Sequence, residues 1–384
     1  MKRRQKRITV LTAGIIAPVL TVLIILFVIV PSTRPSTIPI GAIISLTGYG
    51  SDMVAVKNGM ELAVDKINQH GGINGKNLQL IVKDNKSDPE TAVSVFNHME
   101  NEYRPLLYTT AMSSLSLAIG PEAEKTQVPL VCQVATNPSV TRGKQWVFSF
   151  FPTAEDEIPP ILSIIRRFNI EQMGILYHED PYGIAVYQEL KERLADEATV
   201  LKAVEYSLDT RDFSQYVDRL KNTGALYAVG YGSHLRALFR EAREQGYSGI
   251  LLGPSTASTP SFRKQEAAQG AFVAAPIIYK KNYKLARKIK QEYESGYQSP
   301  FNHYAATGYE FINIVSNLVE NVKEVTRATI RDQLVQGFIY PGLFGDTVIE
   351  RGGHVIRFPL YPAYIQDSEL EYSIKSNMIK SSKQ

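Results

Sequence analysis

The chain has 384 residues, enough for two to three domains. Apolar residues make up 44% and charged residues 21%, which excludes a disordered or fibrous chain. The single cysteine, Cys132, excludes an intrachain disulfide framework, CxxC redox chemistry and a cysteine-rich zinc site. The formal charge of +4 is concentrated at one end: residues 2–34 carry six basic side chains and no acid, leaving 36 basic against 38 acidic residues elsewhere. That near-neutral body gives no reason to expect nucleic acid as a partner.

Taken in chain order, residues 1–7 form a basic segment and Ile8–Val30 an uncharged, strongly apolar stretch of 23 residues. As a helix it would span about 34 Å, enough to cross a hydrocarbon core. The expectation is a segment that enters a membrane, either as a retained transmembrane anchor or as a signal sequence. The basic cluster stays inside and the rest is exported. The only cleavage site on offer, Val30-Pro31-Ser32, is poor, and no cysteine follows to accept a lipid. Residues 31–37, rich in Pro, Ser and Thr, read as a stiff linker.

From Ile38 short apolar strands alternate with amphipathic helices. Strands are expected at Ile38–Ile44, Leu78–Val82, Leu106–Thr109 and Leu130–Val134, with helices over Met53–Gln69, after Asp88-Pro89-Glu90, and through Ala118–Lys125. A second series starts after Phe151-Pro152-Thr153. Its helices fall at Ile158–Phe168, Ile184–Asp196, Phe213–Lys221 and His234–Gln245, and its strands at Met173–Tyr177, Val200–Tyr206, Leu226–Val229, Ile250–Leu252 and Ala271–Ala275. Helices Tyr283–Tyr297, Tyr304–Val322 and Thr329–Gln336 follow, then a hairpin around Gly352-Gly353 and a polar tail, 373–384. Such alternation implies an α/β fold in two units, each a mostly parallel sheet flanked by helices. Ligands of such sheets bind beyond the carboxyl ends of the strands. The loops there, Ser45–Asp52, Met112–Ser116, Ala135–Val140, His178–Gly183, Gly230–His234 and Gly253–Thr259, are rich in Ser, Thr, Tyr and Gly.

Catalytic signatures are missing. The six histidines show no HExxH spacing, and no GxSxG elbow, GxxxxGK[ST] phosphate loop or GxGxxG dinucleotide turn occurs. Gly71-Gly72-Ile73-Asn74-Gly75-Lys76 has the wrong spacing for a phosphate loop and reads as a tight helix-to-strand connection. No metal or cofactor is expected, and no enzyme.

Ile40-Gly-Ala-Ile-Ile-Ser-Leu-Thr-Gly48, Asn58-Gly-Met-Glu-Leu-Ala-Val-Asp-Lys-Ile-Asn68, Gly71–Gly75 and Asp84 followed by Asp88-Pro-Glu-Thr-Ala92 form an ordered series. Ser113-Ser114, Val128-Pro-Leu130, Tyr182-Gly183, Asp212-Phe-Ser214 and Leu251-Leu-Gly-Pro254 continue it. In order and spacing they resemble the periplasmic-binding-protein type I fold, and more narrowly the solute-binding proteins of branched-chain amino-acid (Leu/Ile/Val) ABC transporters, over Ile38–Tyr372. The resemblance implies two hinged lobes, 38–153 plus 277–352 and 154–276 plus 353–372. It also implies capture of a small solute between them and delivery to an ABC permease. An alternative use of the same clamp is a membrane-anchored ligand-sensing subunit that acts through a transmembrane partner.

Carried over by motif, Ser113, Ser114, Ala135 and Thr136 would hold a carboxylate from lobe one, with hydroxyls and helix N-terminal N–H groups in place of a cation. Tyr182 and Tyr231 would close from lobe two, with Phe301 and Tyr304 near the other apolar wall. Ser255 stands where amino-acid binders usually place the acid that pairs with the α-ammonium group. Either another acid, such as Glu179 or Asp180, replaces it, or the ligand lacks an amine. Met112 would narrow the carboxylate end.

Overall fold

The computed structural model describes residues 37–374 except residue 196. The expected membrane-entering segment, residues 8–30, lies outside the described residues. Among those described, no helix is long and apolar enough to cross a membrane.

The first unit begins with β1 (Thr37–Ile44), α1 (Val54–Gln69), β2 (Asn77–Asp84), α2 (Pro89–Glu102), β3 (Leu107–Ala111), α3 (Ser113–Thr126), β4 (Leu130–Gln133) and β5 (Val147–Phe150). Asp88 caps α2 by accepting from Thr91 N at 2.7 Å, with Pro89 at the first helical position. β3, β4 and β5 are buried throughout and β1 nearly so, and most of their residues are apolar, as a parallel sheet between helices demands; of the polar exceptions, Thr109 and Thr110 bond to backbone carbonyls.

The chain then crosses to a second unit: α4 (Ala154–Arg167), β6 (Gln172–His178), α5 (Pro181–Arg193), β7 (Val200–Tyr206), α6 (Ser214–Asp218), β8 (Ala225–Val229), α7 (Gly232–Glu244), β9 (Ile250–Gly253), α8 (Pro260–Arg263) and β10 (Phe272–Pro276). It returns with α9 (Lys284–Tyr297), α10 (His303–Glu320), α11 (Arg327–Gln336), β11 (Phe338–Gly342), β12 (Gly345–Ile349) and β13 (Val355–Ile356). A last crossing adds β14 (Leu360–Gln366) and β15 (Glu369–Glu371) to the second unit.

One sheet runs β13-β5-β4-β3-β1-β2, parallel throughout. The other runs β15-β14-β10-β9-β8-β6-β7, with only β14 and β15 antiparallel to their neighbours. The first unit has its own core, and the helices on the two faces of the second sheet bury separate clusters. In the first core α1 and α10 cross in close contact. A Cβ built on Gly308 would sit 2.0 Å from Val56 O, and one on Gly59 2.0 Å from Ala305 O, so backbone meets backbone there.

Four details depart from the sequence reading. The change of unit expected at 352/353 comes later: β13 pairs in parallel with β5, and Phe358 packs with Phe344 and Phe151 in the first core. The hairpin expected at Gly352-Gly353 is instead β11–β12, turning at Leu343-Phe344, whose side chains are buried. The helix expected over Phe213–Lys221 shortens to Ser214–Asp218, and β5 is a strand the periodicity did not mark.

Candidate functional site

Strand ends and helix starts from both units converge on a cavity of about 20 Å³ lined by Met53, Met112, Ser113, Val134, Thr136, Phe151, Tyr182, Tyr231, Thr256 and Tyr304. Such a space is close to the size of one water molecule. Solute pockets run to about 300–1,000 Å³, so admitting a solute requires the units to part or the rings to swing.

From the first unit, β3 runs into α3 through Met112, whose φ of 76° lies in the region non-glycine residues avoid. The turn aims the first residues of α3 at the cavity, where their N–H groups have no intrahelical partners. Ser113 is buried and its Oγ accepts from Asn137 N at 3.2 Å. Ser114 lies 3.5 Å from Tyr49 Oη and does not line the cavity. Ala135 is fully buried behind it, its carbonyl accepting from Ser149 Oγ, while Thr136 reaches it. Met112 Sδ receives the Ser45 hydroxyl at 3.7 Å and fills space at this end.

From the second unit, Asp180 caps α5, accepting from Tyr182 N and Gly183 N at 2.9 Å each. Its Oδ2 accepts from Tyr231 Oη at 2.5 Å, and His178 Nδ1 lies 2.8 Å from its Oδ1. Burial pushes Asp180 up, but these bonds from His178 and Tyr231 outweigh it and hold the carboxyl below its ordinary value. The Tyr231 ring stacks on His178 at 4.7 Å and faces Tyr49 of the first unit at 5.3 Å. Tyr182 Oη is buried without a well-formed hydrogen bond.

Neither alternative acid lines the cavity: Asp180 is engaged by this network, and Glu179 is exposed. Ser255 does not line the cavity; its neighbour Thr256 does. Ser255 N instead donates to Glu157 Oε1 at 2.5 Å. Glu157, in the first turn of α4, is fully buried, and its Oε2 has no partner. Burial raises its carboxyl above the ordinary range despite the Ser255 bonds. After burial itself, the Glu157 charge is the largest influence raising the Tyr182 phenol; Tyr304 is raised by burial, then by Asp52 and Tyr279, and less by Glu157. An acid therefore does stand behind the cavity wall, contributed by a segment the sequence reading passed over. Glu155-Asp156-Glu157 looks like an ordinary acidic first turn, and only burial separates Glu157 from the other two. Of the two residues expected at the apolar wall, Tyr304 lines the cavity, whereas Phe301 packs against Tyr293.

The cleft continues past Thr256 and Tyr304 into a compartment of about 250 Å³ between the units, with Asp52, Asn58, Arg236 and Asn302 on its walls. Asp52 of the first unit approaches the N-terminus of α7 closely. A Cβ on Gly232 would stand 2.5 Å from Asp52 Oδ2 and 3.2 Å from Arg236 Nη1. Asn137 Nδ2 donates to Pro181 O at 2.6 Å, a hydrogen bond between the units.

The family model described as periplasmic binding protein matches residues 37–369. The chain belongs to this family. A leucine-, isoleucine-, valine-, threonine- and alanine-binding protein of Pseudomonas aeruginosa is 23% identical over 284 residues, covering 72% of this chain and 76% of its own. The chain spans a smaller share, 62%, of the Leu/Ile/Val-binding proteins of Escherichia coli. Among solved structures, the branched-chain amino acid transporter substrate binding protein LivJ from Streptococcus pneumoniae, in complex with isoleucine, superposes with a TM-score of 0.77. It shares 22% identity, covering 88% of this chain and 98% of that one. A solute binding protein of an ABC transporter from Rhodopseudomonas palustris BisB5, in complex with 3,4-dihydroxy benzoic acid, gives 0.79 at 18% identity, covering 87% and 95%. Members of the family are substrate-binding proteins of transporters and not enzymes, and the family places the chain outside the cytoplasm.

Proposed function

We propose that this chain captures a small α-amino acid, or a closely related carboxylate or amide, between its two lobes and delivers it to the permease of an ABC importer. The supporting observation is the convergence on one interlobe cavity of Ser113 and Thr136 from one lobe with Tyr182, Tyr231 and Thr256 from the other. The start of α3 supplies N–H donors for a carboxylate without a cation. Glu157 supplies the negative charge that Ser255 cannot, and its orphaned Oε2 is the acceptor an ammonium group would satisfy. The relatives named for aliphatic amino acids agree in ligand class, while Met112 and the ring-filled cavity favour a small side chain. Solute binding would stabilise the closed arrangement over the open one, and a membrane partner reads that shape. The N-terminal segment 8–30 would tether the lobes to the outer face of the cytoplasmic membrane.

Mass spectrometry of solute carried through native purification identifies the ligand, and thermal shift with a panel of L-amino acids, their des-amino carboxylates and their amides ranks the classes. Thr136→Ala and Tyr231→Ala should each weaken binding of the best panel member while leaving the fold intact. Unchanged affinity in both variants rejects this placement of the site. Absence of ligand-dependent compaction in X-ray scattering across the whole panel rejects the function.

A further inference from the structure

A second groove, about 620 Å³ in volume, lies beside the chain crossing at Pro276–Ile278 and is walled by both lobes. Six cations face it: Arg263, Lys264, Lys280, Lys281, Arg287 and Lys290, against the carboxylates Glu294 and Glu369. Arg263 and Lys264 come from the end of α8, and Arg287 and Lys290 from α9 of the other lobe. Among the described residues, the other five cations make no ion pair with a carboxylate. Glu294 is already engaged, accepting from Phe301 N at 3.1 Å.

Arg263 sets this groove apart from a run of surface lysines. It is 5% exposed, and its Nε and Nη1 have no hydrogen-bond partner. Its guanidinium lies 4.8 Å over the Tyr279 ring, and Nη1 stands 3.9 Å from Glu369 Oε2, beyond hydrogen-bond reach. A buried guanidinium with free donors is costly unless an anion completes it. The planar fork matches a phosphate or carboxylate bidentately, and the lysines around it raise the local concentration of anions.

We propose that this groove is a second binding site, taking a small soluble anion with two or more phosphate or carboxylate groups. Arg263 grips one group at the floor, and Lys280, Lys281, Arg287 and Lys290 hold the others. A flat bilayer cannot reach a guanidinium recessed at the floor, which favours a soluble anion over lipid headgroups. Because both lobes wall the groove, a bound anion bridges them and biases their separation independently of solute in the cleft.

The test is calorimetric titration of the purified protein with sodium tripolyphosphate, at low ionic strength and at 0.15 M salt. Saturable one-to-one binding that weakens with salt is expected. The exposed triple variant Lys281→Ala/Arg287→Ala/Lys290→Ala should lose about tenfold or more in affinity, as several charge-assisted contacts disappear. Arg263→Lys should lose the bidentate contact and weaken binding in the same direction. Both variants should bind the cleft solute as the parent does, so failure here is separable from failure of the transport reading. A parallel arm uses vesicles containing phosphatidylglycerol. Heat that never saturates, equal affinity in the triple variant, or vesicle binding that tripolyphosphate does not displace would each overturn the proposal.

Discussion

Replacing Glu157 by glutamine keeps the shape of the side chain and removes its charge. The carboxyl is fully buried and raised, with one oxygen bonded to Ser255 N and the other unpartnered. In the proposed complex that free oxygen meets the ligand ammonium. A charge-assisted bond of this kind contributes about 1.5–3 kcal/mol, so Glu157→Gln should cost an amino acid roughly ten- to a hundredfold in Kd, at about 1.4 kcal/mol per decade. The des-amino carboxylate of the same skeleton makes no such bond and should change by less than about threefold, within the scatter of a surface substitution. Without ligand the sign reverses. A raised carboxyl favours folding while protonated, and that advantage is lost as pH rises from the unfolded value of about 4.3 through the folded one. Ligand-free Glu157→Gln should therefore gain stability relative to the parent as pH rises across this interval. Isothermal titration with both ligands, and urea unfolding from pH 4 to 8, measure the two effects. Equal losses for the amino acid and its des-amino analogue, or none for either, would refute the assignment.

Other outcomes follow from neighbouring features. Gly232→Ala should wedge Asp52 and Arg236 away from the start of α7, giving a larger radius of gyration with saturating solute and several-fold weaker binding, read by scattering and titration. Gly308→Ala forces a methyl into the Val56 carbonyl, where only a shift of the α1 backbone makes room. Overpacking costs of about 1–3 kcal/mol exceed the helix-propensity gain of roughly 1 kcal/mol, so the urea midpoint should fall while cleft affinity persists. Glu310, buried against Leu343 N and the Thr347 hydroxyl, is pushed up to about 7 chiefly by burial. Its contribution to stability is full below about pH 4.3 and is lost as pH rises through 7. The Glu310→Gln variant should flatten that part of the stability profile, as urea titrations across this range will show.

Much of the architecture was readable because strands buried on both faces must be apolar and the helices between them amphipathic. Where that logic weakens, so does the reading. β5 is followed directly by Phe151-Pro152, which reads as a loop, and β13 is only two residues long and held in place by its pairing with β5. Gly352-Gly353 drew the hairpin because turns favour glycine. The actual turn at Leu343-Phe344 is set by burial of its two apolar side chains in the first core, a tertiary effect without a local signature. At the candidate site, Ser113, Thr136, Tyr182 and Tyr231 fall at strand-to-helix junctions that motif order locates, and all four line the cavity. Ser114, Ala135 and Ser255 share those junctions but face elsewhere, because adjacent residues in a turn diverge. Glu157 was invisible for the opposite reason: an acid in a first turn is commonplace, and nothing local marks one that is folded inward.

The late return of the chain has a consequence for biogenesis. The first sheet waits for β13 and its covering helices α9 and α10, and the second for β14 and β15, all within the final third of the chain. Neither half can seal its core while synthesis is under way, and contacts of such long sequence separation form slowly. Each lobe is thus completed by segments far along the chain from those that begin it, so the two lobes finish together rather than one after the other.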